Sequence, residues 1–211
     1  PSLSIEEATE LYDVPRWGGG GLSWTKFTTF SRILRDSGYA TAIANLKPAL
    51  HWDFDSATGG VVDGGVTFAQ KDLDSEKPKS ANLSARFHGG RIKTKPKSLP
   101  LDYSASVWFR NDQPTTSRPV TGYFFSRGPD GDRTCPGDHL GIGGEFKDSL
   151  PGRLIVFNGN QLNRVAVGKK VIEPLTWNHV VMVRHGHRIK AYLNGNPTPE
   201  IDAEVPPSIA A

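Results

Sequence analysis

Apolar and polar residues alternate one by one along several short segments of this 211-residue chain. The clearest segment is residues 103–110. Its apolar set is Tyr103, Ala105, Val107 and Phe109. The residues that alternate with this set are Ser104, Ser106, Trp108 and Arg110. Because successive side chains of a β-strand point to opposite faces, a period of two predicts a strand with one buried face.

Other segments carry strand patterns of the same length. Leu50, Trp52 and Phe54 alternate with polar residues, and residues 179–184 and 189–193 show a similar alternation. Residues 154–157 form an apolar run typical of a strand buried on both faces. Asn158-Gly159 and Asn194-Gly195 suit turns with positive φ, and His185-Gly-His187 predicts a hairpin turn. Short strands separated by turn signals predict an all-β sandwich.

Residues 1–38 differ from the remainder of the chain. Ser4 and Glu7 form a capping pattern that predicts a short helix from Ile5 to Tyr12, and Pro15 with Gly18–Gly21 ends it. We therefore expect an N-terminal extension, or the end of a neighbouring domain, over residues 1–38 and one β-domain over residues 39–211.

A series of segments resembles, in order, the laminin-G-like family of concanavalin A-like lectins and glucanases. These segments are residues 39–52, 85–90, 104–109, 124–128, 139–144, 177–184 and 191–195. The resemblance implies an antiparallel two-sheet jelly-roll sandwich. It leaves function open, because this fold carries lectins, hydrolases, lyases and adhesion modules.

The resemblance also implies further strands after residue 201. The chain begins at Pro1 instead of Met, so we expect a piece of a larger protein, and the resemblance implies that this protein is exported: periplasmic, extracellular or on the cell surface. An open place in a sheet exposes backbone donors and acceptors, so we expect a strand donated by residues 1–38 or by another chain. The alternative is a sandwich that is complete without those strands.

Charge and cysteine content exclude some classes. The net charge is only +3, with Lys and Arg spread along the chain, which argues against nucleic-acid binding. Cys135 is the single cysteine, so no internal disulfide forms. No apolar run reaches the roughly 18 residues of a membrane-spanning helix.

The segment Glu200-Ile-Asp202-Ala-Glu204 is the strongest sign of an enzyme. It resembles the acidic motif of β-glucanases, in which alternating carboxylates act as nucleophile and general acid. Pro206 and Pro207 follow immediately, unlike the central strand that carries the motif in those hydrolases. We therefore expect no catalytic role, with a glycoside hydrolase or polysaccharide lyase as the third hypothesis.

An acidic, turn-rich segment covers residues 130–139. Its carboxylates could hold Ca²⁺ or bind sugar hydroxyls, or they could simply start turns in a solvated loop. The predicted ligand-binding residues here are Arg127, Asp130, Asp132, Asp138 and His139.

A second carboxylate group lies near the first predicted strand. Asp53, Asp55 and Asp63 could bind one structural Ca²⁺, or they could be polar residues on a solvated face. Calcium is the only cofactor that we predict.

Trp108 belongs to the set opposite the inward-facing residues, beside Arg110. An exposed Trp is a natural platform for sugar C–H groups, so both residues are predicted ligand contacts. The alternative is a Trp covered by a loop or by the N-terminal segment.

Arg91, Lys93, Lys95 and Lys97 alternate along one extended segment, which puts their charges on one side. They could attract an anionic polysaccharide, or they could protect an edge strand from aggregation.

The leading hypothesis is a non-catalytic binding module whose partner is a glycan. The alternative is a structural or adhesion module that binds an extracellular or periplasmic protein.

Overall fold

The computed structural model describes residues 25–26, 47–52, 54, 60–70, 84–95, 100–116, 118–128, 137–145, 150–158 and 165–205. Every regular element in these ranges is a β-strand, and all pairs are antiparallel. None of these ranges contains a helix with the length and apolarity needed to cross a membrane. The predicted helix from Ile5 to Tyr12 lies outside the described residues.

The main body consists of two four-stranded sheets. The first sheet has the order β10-β9-β8-β7, with β7 Val120–Arg127, β8 Asp138–Gly143, β9 Arg153–Asn158 and β10 Val165–Val171. The second has the order β13-β12-β11-β6, with β6 Tyr103–Arg110, β11 Trp177–His185, β12 Arg188–Leu193 and β13 Ile201–Glu204. The predicted all-β sandwich is confirmed.

One apolar core fills the space between these sheets. The inward residues of β6 are the predicted alternating set, and they meet residues of β7, β8 and β9 that include Phe124, Leu140 and Val156. Phe109 stacks on Phe124 with ring centroids 4.3 Å apart, which joins the two sheets directly.

Met182 lies at the centre of the second sheet, with no exposed surface. Its cross-strand neighbours are Ala105 on β6 and Ala191 on β12. The two small side chains leave room for the long, flexible Met side chain, which fills irregular gaps well.

Residues 61–70 and 84–93 form a bent two-stranded ribbon beside the sandwich. Strands β2 (Val61–Asp63) and β5 (Arg91–Lys93) pair first, and β3 (Val66–Gln70) and β4 (Ser84–Phe87) pair beyond the bend. At the bend, Gly65 and Gly90 approach so closely that a Cβ on Gly90 would lie 2.5 Å from the Gly65 carbonyl oxygen. Only glycine permits this crossing.

The ribbon carries a separate apolar cluster around Phe54, Phe87 and Ile92. A two-residue strand, β1 (Thr25–Lys26), pairs with β4 and also contacts β6. Part of the predicted N-terminal extension therefore lies between the ribbon and the sandwich.

The predicted strand around residues 50–54 is wrong as a regular element. Trp52 and Phe54 do share one cluster, with ring centroids 5.9 Å apart. However, none of the described residues there is in a strand, and Phe54 has a φ of 61°. A left-handed residue interrupts the extended backbone that a strand requires.

The predicted turns have different outcomes. Gly186-His187 forms the tight β11–β12 hairpin, and Asn194 and Gly195 both have positive φ. Asn158 is the buried last residue of β9 and does not have the positive φ that we predicted, and Gly159 lies outside the described residues.

Candidate functional site

A row of aromatic rings crosses the face of the first sheet that points away from the core. Tyr123 on β7, His139 on β8 and Phe157 on β9 are all half-buried. Ring centroids are 5.5 Å apart for Tyr123 and His139 and 6.0 Å apart for His139 and Phe157. We call these three residues the aromatic row.

The strand pattern explains why the rings share one face. On β9, Leu154 and Val156 point into the core, so Phe157 points outward. On β8, Leu140 points inward and His139 outward, directly across from Phe157.

A β-bulge positions the third ring. The pairing of β7 with β8 shifts between Tyr123 and Phe125, and both Phe124 and Phe125 enter the core. Two consecutive inward residues leave Tyr123 on the outer face, as a bulge permits.

Gly141 makes space for the Tyr123 ring. It is directly across from Tyr123 on β8, and a Cβ there would lie 2.9 Å from Tyr123 Cδ1 and 2.3 Å from the Gly122 carbonyl oxygen. Tyr123 therefore lies against the sheet at a place where any other residue would push it away.

The polar rings of the row are uncharged near neutral pH. Burial lowers the pKa of His139 from its ordinary 6.5, with a smaller opposing effect from the Asp138 carboxylate. Burial raises the pKa of Tyr123 above 10.0. The row therefore carries no fixed charge near neutral pH.

Trp108 lies on the outer face of the second sheet, as its place in the strand predicts. It is only 8% exposed, and the His179 ring stacks on it with centroids 4.6 Å apart. His179 Nε2 lies 2.8 Å from Ser106 Oγ. Trp108 is therefore covered, as in the alternative prediction, although the ring that stacks on it is His179. Arg110, on the same strand, forms an ion pair with Asp112 at 3.0 Å.

Asp138 is not in a loop, and this part of the prediction is wrong. It begins β8 and is fully buried, where its carboxylate accepts hydrogen bonds from Arg184 Nη1 at 2.5 Å, Asn158 Nδ2 at 2.6 Å and Tyr103 Oη at 2.7 Å. Buried charges require such partners.

Arg127 belongs to the same interior group. It is 5% exposed, and its guanidinium lies 4.5 Å from the centroid of the Tyr103 ring. Arg127 and Asp138 therefore lie inside the protein and away from the surface on which we predicted ligand contacts. Asp130 and Asp132 lie outside the described residues.

Of the predicted calcium ligands, only Asp63 is described. Its carboxylate contacts Arg91 at 2.9 Å and Lys93 at 3.2 Å, and hydrogen bonds from these two cations lower its pKa. No group of three or more His, Cys, Asp or Glu residues in the described ranges could hold a metal ion. Asp53 and Asp55 lie outside these ranges, and calcium binding stays a prediction.

Two of the four predicted basic residues, Arg91 and Lys93, form the ion pairs with Asp63. Arg91 and Lys93 lie on one face of β5 as predicted, with Ile92 buried between them. Lys95 is exposed, and Lys97 lies outside the described residues.

The Glu200 side chain, just before β13 of the second sheet, binds backbone N–H groups of β10 in the first sheet. It is 5% exposed, and its Oε2 accepts hydrogen bonds from the backbone N–H groups of Lys169 at 2.9 Å and Lys170 at 3.0 Å. These donors belong to the irregular part of β10, between Val167 and Val171.

The other two carboxylates of the acidic motif are exposed on β13. Asp202 forms a two-pronged ion pair with Arg188, with distances of 2.6 and 2.9 Å, and this partner lowers the pKa of Asp202. The motif thus consists of one buried structural carboxylate, one ion-paired carboxylate and the exposed Glu204.

β13 is an edge strand, and the described part of the chain adds no strand outside it. Strand donation from another chain or from residues outside the described ranges stays a prediction.

Sequence reasoning found His139 but missed Tyr123 and Phe157. Phe157 ends an apolar run, and the segment Tyr123-Phe124-Phe125 hides the bulge that separates Tyr123 from its neighbours. The available signal was the position of Phe157 one residue beyond the inward-facing Val156.

Comparison with known proteins identifies a family for this chain. A family model described as the concanavalin A-like lectin/glucanases superfamily matches residues 88–210, more than half of the chain. A search of curated proteins finds no match.

A solved structure with a similar arrangement is domain 4 of AbnA, a GH43 extracellular arabinanase from Geobacillus stearothermophilus, in complex with arabinotriose. The chains are 15% identical, the alignment covers 92% of this chain and 80% of that chain, and the TM-score is 0.46.

Proposed function

This chain belongs to the concanavalin A-like lectin/glucanases superfamily, and we propose that it is a non-catalytic module that binds a glycan on its aromatic row. The superfamily is named for lectins and glucanases, and a carbohydrate-related role agrees with that name. The observation that carries the proposal is the row of three half-buried rings across adjacent strands.

The chemistry of the row suits sugar rings. One face of many sugars carries mainly C–H groups, and aromatic rings pack against such apolar faces while Tyr and His add polar edges. Ser126, exposed on β7 and directly across from His139, supplies a hydroxyl beside the row. A sheet that is fixed by its core holds these groups in place before the ligand arrives.

A binding role fits the acidic motif better than hydrolysis does. A retaining glycosidase needs two carboxyl groups about 5–5.5 Å apart that both reach the substrate. Glu200 is buried and accepts two backbone hydrogen bonds, and Asp202 is paired with Arg188. We propose that the motif contributes to the fold alone, within an exported protein.

Glycan-array screening of the protein, followed by calorimetry with the best ligand, tests the proposal. We expect Tyr123→Ala and Phe157→Ala each to weaken binding roughly tenfold, in line with the loss of one aromatic contact. Leu175→Ala, which removes an exposed apolar side chain elsewhere, is the matched control and leaves affinity unchanged.

Two results would count against the proposal. An array without any bound glycan favours the structural or protein-interaction hypothesis. Cleavage of β-glucans that disappears in Glu200→Gln favours the hydrolase.

A further inference from the structure

Arg153 lies on the same face of β9 as the aromatic row. Leu154 and Val156 point into the core, which leaves Arg153, Ile155 and Phe157 on the outer face. Arg153 is half-buried, and four residues of extended strand separate it from Phe157, a distance of about 13 Å.

One side of the Arg153 guanidinium is fixed by backbone. Its Nη1 donates to the Gly168 carbonyl oxygen at 3.3 Å and to the Lys169 carbonyl oxygen. These carbonyls belong to the irregular stretch of β10, where the pairing with β9 shifts between Val167 and Val171. The guanidinium plane is therefore held in place before any ligand binds.

The N–H groups on the other side of the guanidinium are not used by these contacts. An Arg side chain has five N–H groups, and both contacts above use Nη1. Across the described residues, Nε and Nη2 of Arg153 have no hydrogen-bond acceptor, and no carboxylate lies within ion-pair distance of the group. The adjacent N–H groups of Nε and Nη2 form the fork that binds a carboxylate through two parallel hydrogen bonds.

The surroundings of Arg153 do not neutralise its charge. The carbonyls that hold Nη1 are dipoles without net charge, and the cationic Lys169 and Lys170 follow on the same strand. Glu200 is the carboxylate next to this stretch, and its partners are other groups: Oε2 accepts two backbone hydrogen bonds and Oε1 forms an ion pair with Lys170 Nζ at 3.8 Å. A half-buried cation without a counter-ion favours an anionic ligand.

We propose that Arg153 binds the carboxylate of an acidic sugar whose neighbouring units lie on the aromatic row. This inference rests on the proposed function and specifies its ligand class as uronic-acid-containing glycans. The aromatic row supplies contact with ring faces, and Arg153 supplies the charge at one end of the same face.

The first experiment compares two probes on the unmodified protein, so it does not depend on a variant that folds. Calorimetry at pH 7 measures binding of tetragalacturonic acid and of its methyl ester, which keeps the sugar rings and removes the charge. We expect the free acid to bind at least roughly tenfold more tightly, as a charge-assisted contact implies. Raising the salt concentration should weaken binding of the acid and leave the ester unaffected.

The second experiment assigns the effect to Arg153. Arg153→Gln should bring the affinity of the acid down to that of the ester, and Arg153→Lys should restore only part of the difference, since Lys lacks the two-pronged geometry. Arg86→Gln, which removes an exposed cation on the ribbon, is the control and should leave the difference intact. Thermal melting of each variant separates lost binding from lost folding.

The outcomes separate this inference from the proposed function. Equal affinities for acid and ester, or no binding of the acid, overturn the role of Arg153. If neutral glycans still bind in a manner sensitive to Tyr123→Ala, the proposed function stands without it. If no glycan binds at all, both fail.

Discussion

The Asp138 carboxylate holds donors from three other strands inside the sandwich. Tyr103 comes from β6, Asn158 from β9 and Arg184 from β11, so the group ties both sheets together at one end. Burial and the adjacent Asp138 charge raise the pKa of Tyr103 well above its usual value, which keeps its hydroxyl a donor.

Removing this charge should be costly. In Asp138→Asn the fully buried Arg184 loses its counter-ion, and we expect a loss of about 3–5 kcal/mol in the free energy of unfolding. Urea denaturation measures it. Asp112→Asn, which breaks the Arg110 pair nearer the surface, is the control and should cost under about 1 kcal/mol. Equal losses of unfolding free energy in the two variants would show that the buried Asp138–Arg184 pair contributes no more than the pair nearer the surface.

His179 should make stability depend on pH. Burial of the ring against Trp108 lowers its pKa to about 4 from an ordinary 6.5. The unfolded chain therefore takes up a proton below about pH 6.5 while the folded protein does not, so stability falls between about pH 6.5 and 4 and is unaffected above this range.

The variant His179→Gln isolates this effect. Part of the His179 ring reaches the surface, so we expect a difference of about 1–3 kcal/mol between pH 7.5 and pH 4 that the variant lacks. Urea midpoints of both proteins across this pH range provide the measurement. Parallel pH profiles for the two proteins would contradict the interpretation.

Single polar residues were the hardest to assign from sequence. Asp138 and Arg127 are acidic and basic residues near Gly- and Pro-rich sequence, which is typical of a surface loop. Their burial depends on partners on β6 and β11, many residues away in the chain, and no local pattern reveals such partners.

At the scale of elements, the irregular part of β10 is stabilised from two directions. Its N–H groups at Lys169 and Lys170 donate to Glu200, and its carbonyls at Gly168 and Lys169 accept from Arg153. An edge strand with its backbone groups occupied in this way offers less to an intruding strand.

Glu200→Ala should leave two backbone donors without an acceptor. We expect a loss of about 1–3 kcal/mol and faster amide hydrogen exchange at Lys169 and Lys170. Glu200→Gln keeps a carbonyl acceptor and should cost less, while Glu204→Ala on β13, the strand that follows Glu200, is the exposed control. Unchanged exchange at both lysines in Glu200→Ala would rule out this role.

Two glycines at the ribbon bend, Gly89 and Gly90, are required for different reasons. A Cβ on Gly90 would collide with the Gly65 backbone at 2.5 Å, whereas Gly89 has open space around it but a φ of 87°. We expect Gly89→Ala to cost about 1–2 kcal/mol through backbone strain alone and Gly90→Ala to cost more, because backbone must move. Thermal melting compares them, and the opposite order would refute the close crossing.

The strands predicted at residues 103–110 and 154–157 form as expected, whereas the alternating segment at residues 50–54 does not form one. The alternation in residues 103–110 and the apolar run at 154–157 reflect burial, which side-chain type reports directly. The bulges on β7 and β10 could not be predicted, because a bulge changes the period by one residue without a signature residue. The position of Tyr123 depends on such a bulge, so the aromatic row emerged only from the structure.

At the scale of the whole molecule, the described strands form a two-sheet body and a bent ribbon, each with its own apolar cluster. The sequence resemblance anticipated the sandwich, and the family match confirms it. The ribbon was not anticipated as a separate unit, and its strand pairs β2–β5 and β3–β4 were not predicted. Their separation depends on the Gly65–Gly90 crossing.

The chain has a single methionine, and it lies between Ala105 and Ala191 at the centre of the core. Selective ¹³C labelling of the methionine methyl group therefore gives one NMR resonance from the interior, with no need for assignment. Residues of both sheets pack in the core that holds this methyl, so its chemical shift reports on how the sheets pack. The native sequence thus contains its own spectroscopic reporter for every variant discussed above.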